Sequence, residues 1–243
     1  MIGNLFNTFL YVPIYNLLIF LVDILPGGDL GLAVIIVTII VKLIIMPLTV
    51  SALRTSRAMQ AVQPKFKELQ EKYKDNKELQ AKETFALYKK YKINPFSSIF
   101  ALLIQLPVVI ALYWVFRHEV IGIDPAILYS FIHAPAVISS NFLGFFTLTD
   151  HNVILAILAA GAQFLQGKYA MPIPAARKDE STSEKFNRSM AMQMRYMLPI
   201  FIGGIAYVSS GAIALYFITT SLFTLAQELL IRKMPQTVIE EAI

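Results

Sequence analysis

Residues 31–53 read GLAVIIVTIIVKLIIMPLTVSAL, an apolar run that carries one cation, Lys42, near its middle. Roughly 20 such residues cross the ~30 Å hydrocarbon core of a bilayer as a helix. The run is therefore read as a membrane span, and it sets the class of the whole chain. Four further apolar runs follow at Phe96–Phe116, Asn152–Tyr169, Tyr196–Ser209 and Ala212–Ile231. The fourth span is the shortest and covers only about 21 Å, unless it extends as a helix back through Met190–Arg195. The expected fold is an all-α membrane protein built on a five-transmembrane-helix bundle. The composition agrees: 56% of the 243 residues are hydrophobic and 15% charged, where a soluble domain carries about 25%.

The basic residues orient the bundle by the positive-inside rule. Eleven of the 21 Lys and Arg residues lie in Arg54–Lys92, six in Lys168–Arg195, and Arg232 and Lys233 follow the last span. Met1–Leu30, His118–His151 and Ser209–Gly211 hold none. The first span thus enters from outside and the C-terminus is cytoplasmic, with Arg117 snorkelling at a helix end.

The chain then divides as follows. Residues 1–30 form an N-terminal amphipathic interfacial helix and turn, followed by the first span (31–53), a cytoplasmic helical hairpin (54–95) and the second span (96–117). An outer loop with a short interfacial helix (118–151) leads to the third span (152–169) and a cytoplasmic loop (170–195). The fourth and fifth spans (196–209 and 212–231) and a cytoplasmic tail (232–243) complete it.

The interfacial reading of the N-terminus rests on Asn4, Thr8, Tyr11 and Tyr15, a thin polar stripe at helical spacing in a stretch apolar enough to be a sixth span. With no basic n-region ahead of it, it is not expected to be a cleaved signal peptide. The Pro26-Gly27-Gly28-Asp29 turn leads into the first span. In the hairpin, Met59, Val62, Phe66, Leu69 and Tyr73 form a coiled-coil-like seam. Its second arm follows the Lys74–Lys77 turn with Leu79, Phe85, Ala86 and Tyr88 as apolar residues. Pro64 is expected to kink the first arm. Asp124-Pro125 reads as the start of the short interfacial helix, which runs to about His133, and Asp150 as the cap of the third span.

Lys42 is the most informative single residue. A cation at the bilayer centre costs at least ~2.5–3.5 kcal/mol, so it faces an aqueous cavity or a partner. The only acid within any span, Glu228, lies near the cytoplasmic end of the fifth, a poor place from which to reach mid-membrane. Thr38 sits one turn away on the same face. Gln105, Gln163, Gln166, Ser221 and Thr224 are polar residues of other spans. Singly each is an interhelical hydrogen-bond partner; together with Lys42 they are candidates to line one hydrophilic groove. Met190, Met192, Met194 and Met197 cluster around Arg195, flexible side chains suited to adaptable apolar contacts, although an ordinary interfacial stretch leading into a helix is the simpler reading.

Enzyme chemistry has no foothold. The three histidines are scattered, cysteine is absent, and there is no phosphate-binding loop, nucleophile elbow or HExxH pair. No cofactor or metal is expected. A transporter using Lys42 as a coupling charge, and an assembly scaffold without a groove, are the other classes consistent with a basic multi-span chain; paired inverted halves, frequent in transporters, are not seen.

Several stretches resemble the YidC/Oxa/Alb family of membrane protein insertases. They are Lys42 with Met46-Pro47-Leu48-Thr49, Gln63-Pro64-Lys65, the run Leu87–Pro95 reading LYKKYKINP, Leu103–Pro107, Ala111-Leu112-Tyr113, Leu215-Tyr216-Phe217, and Gln227. The order and spacing cover nearly the whole chain. It departs from the family pattern in having Lys42 where Arg is usual, Ser210-Gly211-Ala212 in place of a Pro-x-Gly turn, and Gly203-Gly204 and Phe217 where bulky aromatics are common.

The resemblance implies an insertase with a groove open to cytoplasm and lipid and closed toward the outside, working without ATP hydrolysis. Its substrates would be nascent membrane proteins, its surroundings the lipid bilayer of a bacterial plasma membrane, its oligomeric state a monomer. The ribosome and a Sec translocon are candidate partners, although a tail with only Arg232 and Lys233 makes a weak ribosome-binding element. Substrate helices would slide along Leu106, Val109, Tyr113, Phe201, Tyr207 and Tyr216. They would be received by the hairpin residues Pro64, Lys65, Tyr88, Lys89 and Lys90.

Overall fold

The apolar runs form helices in the computed structural model, which describes residues 2–91, 93–94, 96–119, 123–170 and 182–233. Part of the expected cytoplasmic loop (171–181) and most of the tail (234–243) lie outside these. The element order is α1 (Ile2–Phe6), a π turn (Asn7–Tyr11), α2 (Val12–Ile24), a 3-10 turn (Pro26–Gly28), α3 (Leu30–Lys72), α4 (Lys77–Lys90) and α5 (Phe96–Glu119). A two-residue hairpin of β1 (Asn141–Phe142) and β2 (Phe146–Thr147) precedes α6 (Val153–Ala170), α7 (Thr182–Val208) and α8 (Gly211–Lys233). Among the described residues, four segments are long and apolar enough to cross a membrane: Asn4–Ile24, Leu30–Lys72, Val153–Ala170 and Gly211–Arg232. The fourth apolar run is part of a 27-residue helix, α7, so it is lengthened by its polar N-terminal half as the sequence allows.

The chain separates into two compact units, residues 1–44 with 107–228, and residues 45–106 with 229–243. In the first, Leu18 and Ile19 of α2, Val34 and Val37 of α3, Leu112 and Val115 of α5, Ala159 of α6 and Leu215 of α8 share one buried cluster. Of α7, only Ala206 joins this cluster among the described residues. α7 instead packs along α6 as an antiparallel pair, with Phe164 beside Tyr196 and His151 beside Tyr207, both at ring separations of 5.9 Å. Small residues permit the approach. A Cβ added at Gly203 would lie 2.9 Å from the Ala160 methyl, the close backbone contact that drives helix association in lipid.

The N-terminal helix corrects the interfacial stripe. Asn4 and Thr8 are exposed, but Tyr15 and Asn16 are each only 1% exposed. Both turn inward to satisfy the backbone of the segment that follows α5. The Tyr15 hydroxyl accepts from the Asp124 N–H at 2.8 Å, and the Asn16 oxygen accepts from the Tyr129 N–H at 2.7 Å. The Asn16 amide donates to the Ile127 carbonyl at 2.9 Å. Ahead of Pro13, the Val12 N–H reaches back five residues to the Asn7 carbonyl. This wider turn suits a proline that would otherwise crowd the carbonyl four residues earlier.

The same contacts explain why the helix expected from Asp124 to about His133 does not form. Ile127, Leu128 and Ile132 make only three-residue turn bonds, because Asn16 takes the groups a helix would need. The rest of this segment ties together the starts of α3 and α8. Leu30 and Ser139 exchange bonds with the Ser139 and Gly28 carbonyls, and Gly211 and Ala212 donate to the Asp150 and Leu148 carbonyls. Two glycines are required here. A side chain at Gly28, which has φ +63°, would collide with the Val137 carbonyl, and one at Gly31 with the Phe142 ring. Asp150 is not the cap of α6; Asn152 is, its side-chain oxygen accepting from Ile154 and Leu155 at 3.0 and 3.1 Å.

In the second unit the C-terminal part of α3 and α4 are antiparallel across residues 73–76, with Asn76 capping α4 through the Leu79 N–H at 3.0 Å. α3 is helical through Pro64. Val62, Tyr91 and Ile93 are buried, with Met59, Phe66, Leu87 and Tyr88 packed on them. Phe85, one of the apolar residues of the second arm, is 63% exposed. The face that meets α3 is Leu87, Tyr88 and Tyr91, one turn further on.

Candidate functional site

The polar residues of the spans fall into two described groups within the first unit. On α3, Thr38 and Lys42 are stacked one turn apart and both are buried, at 1% and 8% exposure. The Thr38 hydroxyl donates to the Val34 carbonyl at 2.6 Å, as a threonine in an apolar helix does to satisfy itself. On α6 and α8, three residues from two distant parts of the sequence form one hydrogen-bonded set. The Ser221 hydroxyl donates to the Gln163 side-chain oxygen at 2.9 Å, and the Gln163 amide to the Gln166 oxygen at 2.8 Å.

Threonines flank this set on α8. Thr219 and Thr224 donate to the Leu215 and Thr220 carbonyls at 2.8 Å each. The Thr220 hydroxyl is buried without a hydrogen-bond partner. A buried hydroxyl left unpaired costs about 1–3 kcal/mol, so the α8 face here has hydrogen-bonding capacity that the protein itself does not use. Gln227 and Glu228, buried one to two turns further on, continue the polar face toward the end of α8. Gln105 lies on α5, and its side chain is outside the described set.

A model of the family described as the 60Kd inner membrane protein matches residues 21–238. The chain belongs to that family. A membrane protein insertase YidC from Oceanobacillus iheyensis is 34% identical over 237 residues, which cover 95% of this chain and 84% of the relative. One from Clostridium tetani is 32% identical over 211 residues, 87% of this chain and 85% of the relative. The membrane protein insertase MisCA of Bacillus subtilis is 33% identical over 234 residues, 94% and 80% of the two chains. Family membership and the apolar helices together make this a multi-pass membrane protein.

Against this family background the expected apolar contacts separate into two kinds. Leu106, Phe201 and Tyr207 are exposed at 51%, 64% and 48%, as surfaces meant for lipid or a partner helix would be. Val109 and Tyr113 are half-buried. Tyr216 is not available for such contact. It is 3% exposed and lies in the core, its ring 6.1 Å from Phe116 and 5.2 Å from Phe217. Its place in the Leu215-Tyr216-Phe217 triplet gives no hint of this, because helical spacing does not say which face is covered.

Among the hairpin residues, Lys65 and Tyr88 make contacts within the hairpin itself. The Lys65 ammonium donates to the Tyr91 hydroxyl at 2.9 Å and sits 5.2 Å from its ring centre. Tyr88 packs on Phe66 at 5.0 Å. Lys89 and Lys90 are exposed at the end of α4, where cations favour the carbonyl end of the helix, and Pro64 is exposed on α3. Sequence reasoning missed Tyr91 as the partner of Lys65 and Asn16 as the anchor of the segment after α5. An isolated Asn in an apolar helix was the available signal for the second.

Proposed function

We propose that this chain is an insertase of the bacterial plasma membrane. It moves substrate transmembrane segments and their short polar tails into the bilayer through a groove lined by Lys42, Thr38, Gln163, Gln166, Ser221 and Thr224. The observation that carries the reading is the Ser221–Gln163–Gln166 set, polar groups of two apolar helices held together within the unit that also buries Lys42 and Thr38. Each such group is costly in lipid and is retained where it meets water or a polar substrate.

The orientation supported by the basic residues puts the N-terminal segment and residues 123–151 outside and the hairpin and C-terminus in the cytoplasm. In that frame the segment bonded to α2, α3 and α8 closes the outer end of the unit, and polar groups are reached from the cytoplasmic side. Lys42 attracts acidic residues of an outgoing tail, and the amides and hydroxyls replace part of its water. The hairpin, α3 and α4 with Lys89 and Lys90 at its base, receives the substrate from the ribosome or a Sec translocon. The substrate's apolar helix then leaves along Val109, Tyr113, Phe201 and Tyr207. Hydrophobic partitioning drives the step, with the membrane potential assisting an acidic tail by up to about 2.3 kcal/mol per charge at 100 mV. ATP hydrolysis has no role, and one copy suffices.

The test is insertion of a small single-span protein with an acidic outgoing tail into liposomes holding the purified chain. Protease protection above that of empty liposomes supports the reading. Equality with empty liposomes overturns it.

A further inference from the structure

α7 carries an exposed apolar stripe that runs past the end of its partner helix. Met190, Met194, Met197, Phe201 and Val208 are 52%, 41%, 65%, 64% and 80% exposed, and the exposed Gly204 completes the series. Their spacing alternates four and three residues, the repeat that presents one continuous seam to a partner helix. The opposite face of α7 holds the buried Pro199 and Ala206 and the close approach of Gly203 to Ala160. The stripe is thus turned away from the rest of its unit.

The polar boundary on this helix pair is fixed by Arg195, whose guanidinium donates to the Lys168 carbonyl in the last turn of α6 at 3.0 Å. α6 has 18 residues and so is about 27 Å long, one hydrocarbon thickness. Met194 and Met190 lie beyond that boundary, Met190 by about 7.5 Å along the axis. They share that stretch of helix with Arg188 and the exposed Lys185. An apolar side chain as far past the hydrocarbon as Met190, next to cations, gains little from acyl chains. Their unbranched, polarizable thioethers adapt to apolar partners of varied shape, and the stripe is continuous with the lipid-level residues Met197 and Phe201.

We propose that Met190 and Met194 form a capture site for the apolar helix of a substrate on the cytoplasmic side, before it enters the bilayer. The occupant packs helix-on-helix along the seam and advances from Met190 and Met194 to Met197, Phe201 and Val208. The site feeds the exit path from outside the membrane. This inference rests on the insertase reading.

The experiment places a photoreactive benzoylphenylalanine at Met190, Met194, Phe201 or Met192, the last exposed at 39% but on the other side of the helix. The chain is reconstituted in liposomes and offered stalled nascent chains of a single-span protein of increasing length. Cross-links at 190 and 194 are expected at shorter lengths than at 201, with at least threefold less at 192. In parallel, Met190→Gln with Met194→Gln should slow insertion three- to tenfold, while both residues changed to Leu should restore it and Met192→Gln should leave it unchanged.

Cross-links confined to 201, or going to lipid at 190 and 194, together with normal insertion by the Gln pair, would overturn the capture site and leave the insertase standing. Failure of the wild-type chain to insert anything would remove both.

Discussion

The Ser221 hydroxyl on α8 donates to the Gln163 side chain on α6 at 2.9 Å, joining residues separated by 58 positions in sequence. Ser221 is 2% exposed, and its partner passes the interaction on to Gln166 at 2.8 Å. Two helices that could otherwise present only apolar faces are thereby held in one register.

The first prediction concerns this link. Ser221→Ala should destabilise the protein by about 0.5–1.5 kcal/mol, the usual net worth of one hydrogen bond. A cycle of Ser221→Ala with Gln163→Leu should give a coupling of about 0.6 kcal/mol, typical for such bonds inside membranes. Unfolding in mixed micelles measures both. Strictly additive effects would mean the pair is not energetically coupled.

A second prediction addresses Lys42. Lys42→Arg should retain insertion of a substrate with an acidic outgoing tail, and Lys42→Leu should lower it about tenfold or more. The same substrate with a neutral tail should be much less affected. Initial insertion rates into liposomes decide the matter. Equal rates for all three proteins would remove Lys42 from the mechanism, and tolerance of Leu is what a scaffold without a groove requires.

Asn16 supports a third. Asn16→Leu removes the partner of the Tyr129 N–H and of the Ile127 carbonyl, each bond having a net worth of about 0.5–1.5 kcal/mol. Residues 123–133 should become markedly more susceptible to protease from the outer face, and thermal stability should fall. Unchanged cleavage would mean that Tyr15 alone holds the segment.

The glycine pair on α7 gives a fourth. Gly203→Leu forces α7 away from Ala160, where a Cβ alone already meets a methyl at 2.9 Å, and should cost about 1–3 kcal/mol as other overpacked contacts do. Gly204→Leu meets nothing within 4 Å and should stay within about 0.5 kcal/mol of wild type. Thermal unfolding of the two variants in one detergent provides the comparison.

Sequence alone determined that this is a helical membrane protein. Burying a run such as Gly31–Leu53 in lipid is favourable whatever surrounds it, and every backbone group within it is satisfied by its own helix. The charge count gives an expected orientation for a similar reason, since each cation acts on its own at the boundary. It also picked out Lys42, Gln163 and Ser221, because a polar group in hydrocarbon is costly before any contact is known.

What the tertiary structure decided is which faces meet. Tyr15 reads as part of a wet stripe until Asp124, 109 residues away, claims its hydroxyl. Asp124–His133 has good helix-start residues, yet Asn16 holds its backbone in turns. Tyr216 and Phe201 are both aromatic residues of spanning helices; one is packed in the core and the other faces outward. Local pattern fixes the state of each segment against water or lipid. Hydrogen bonds and packing between segments distant in sequence depend on how helices are arranged, and that arrangement is a property of the whole chain.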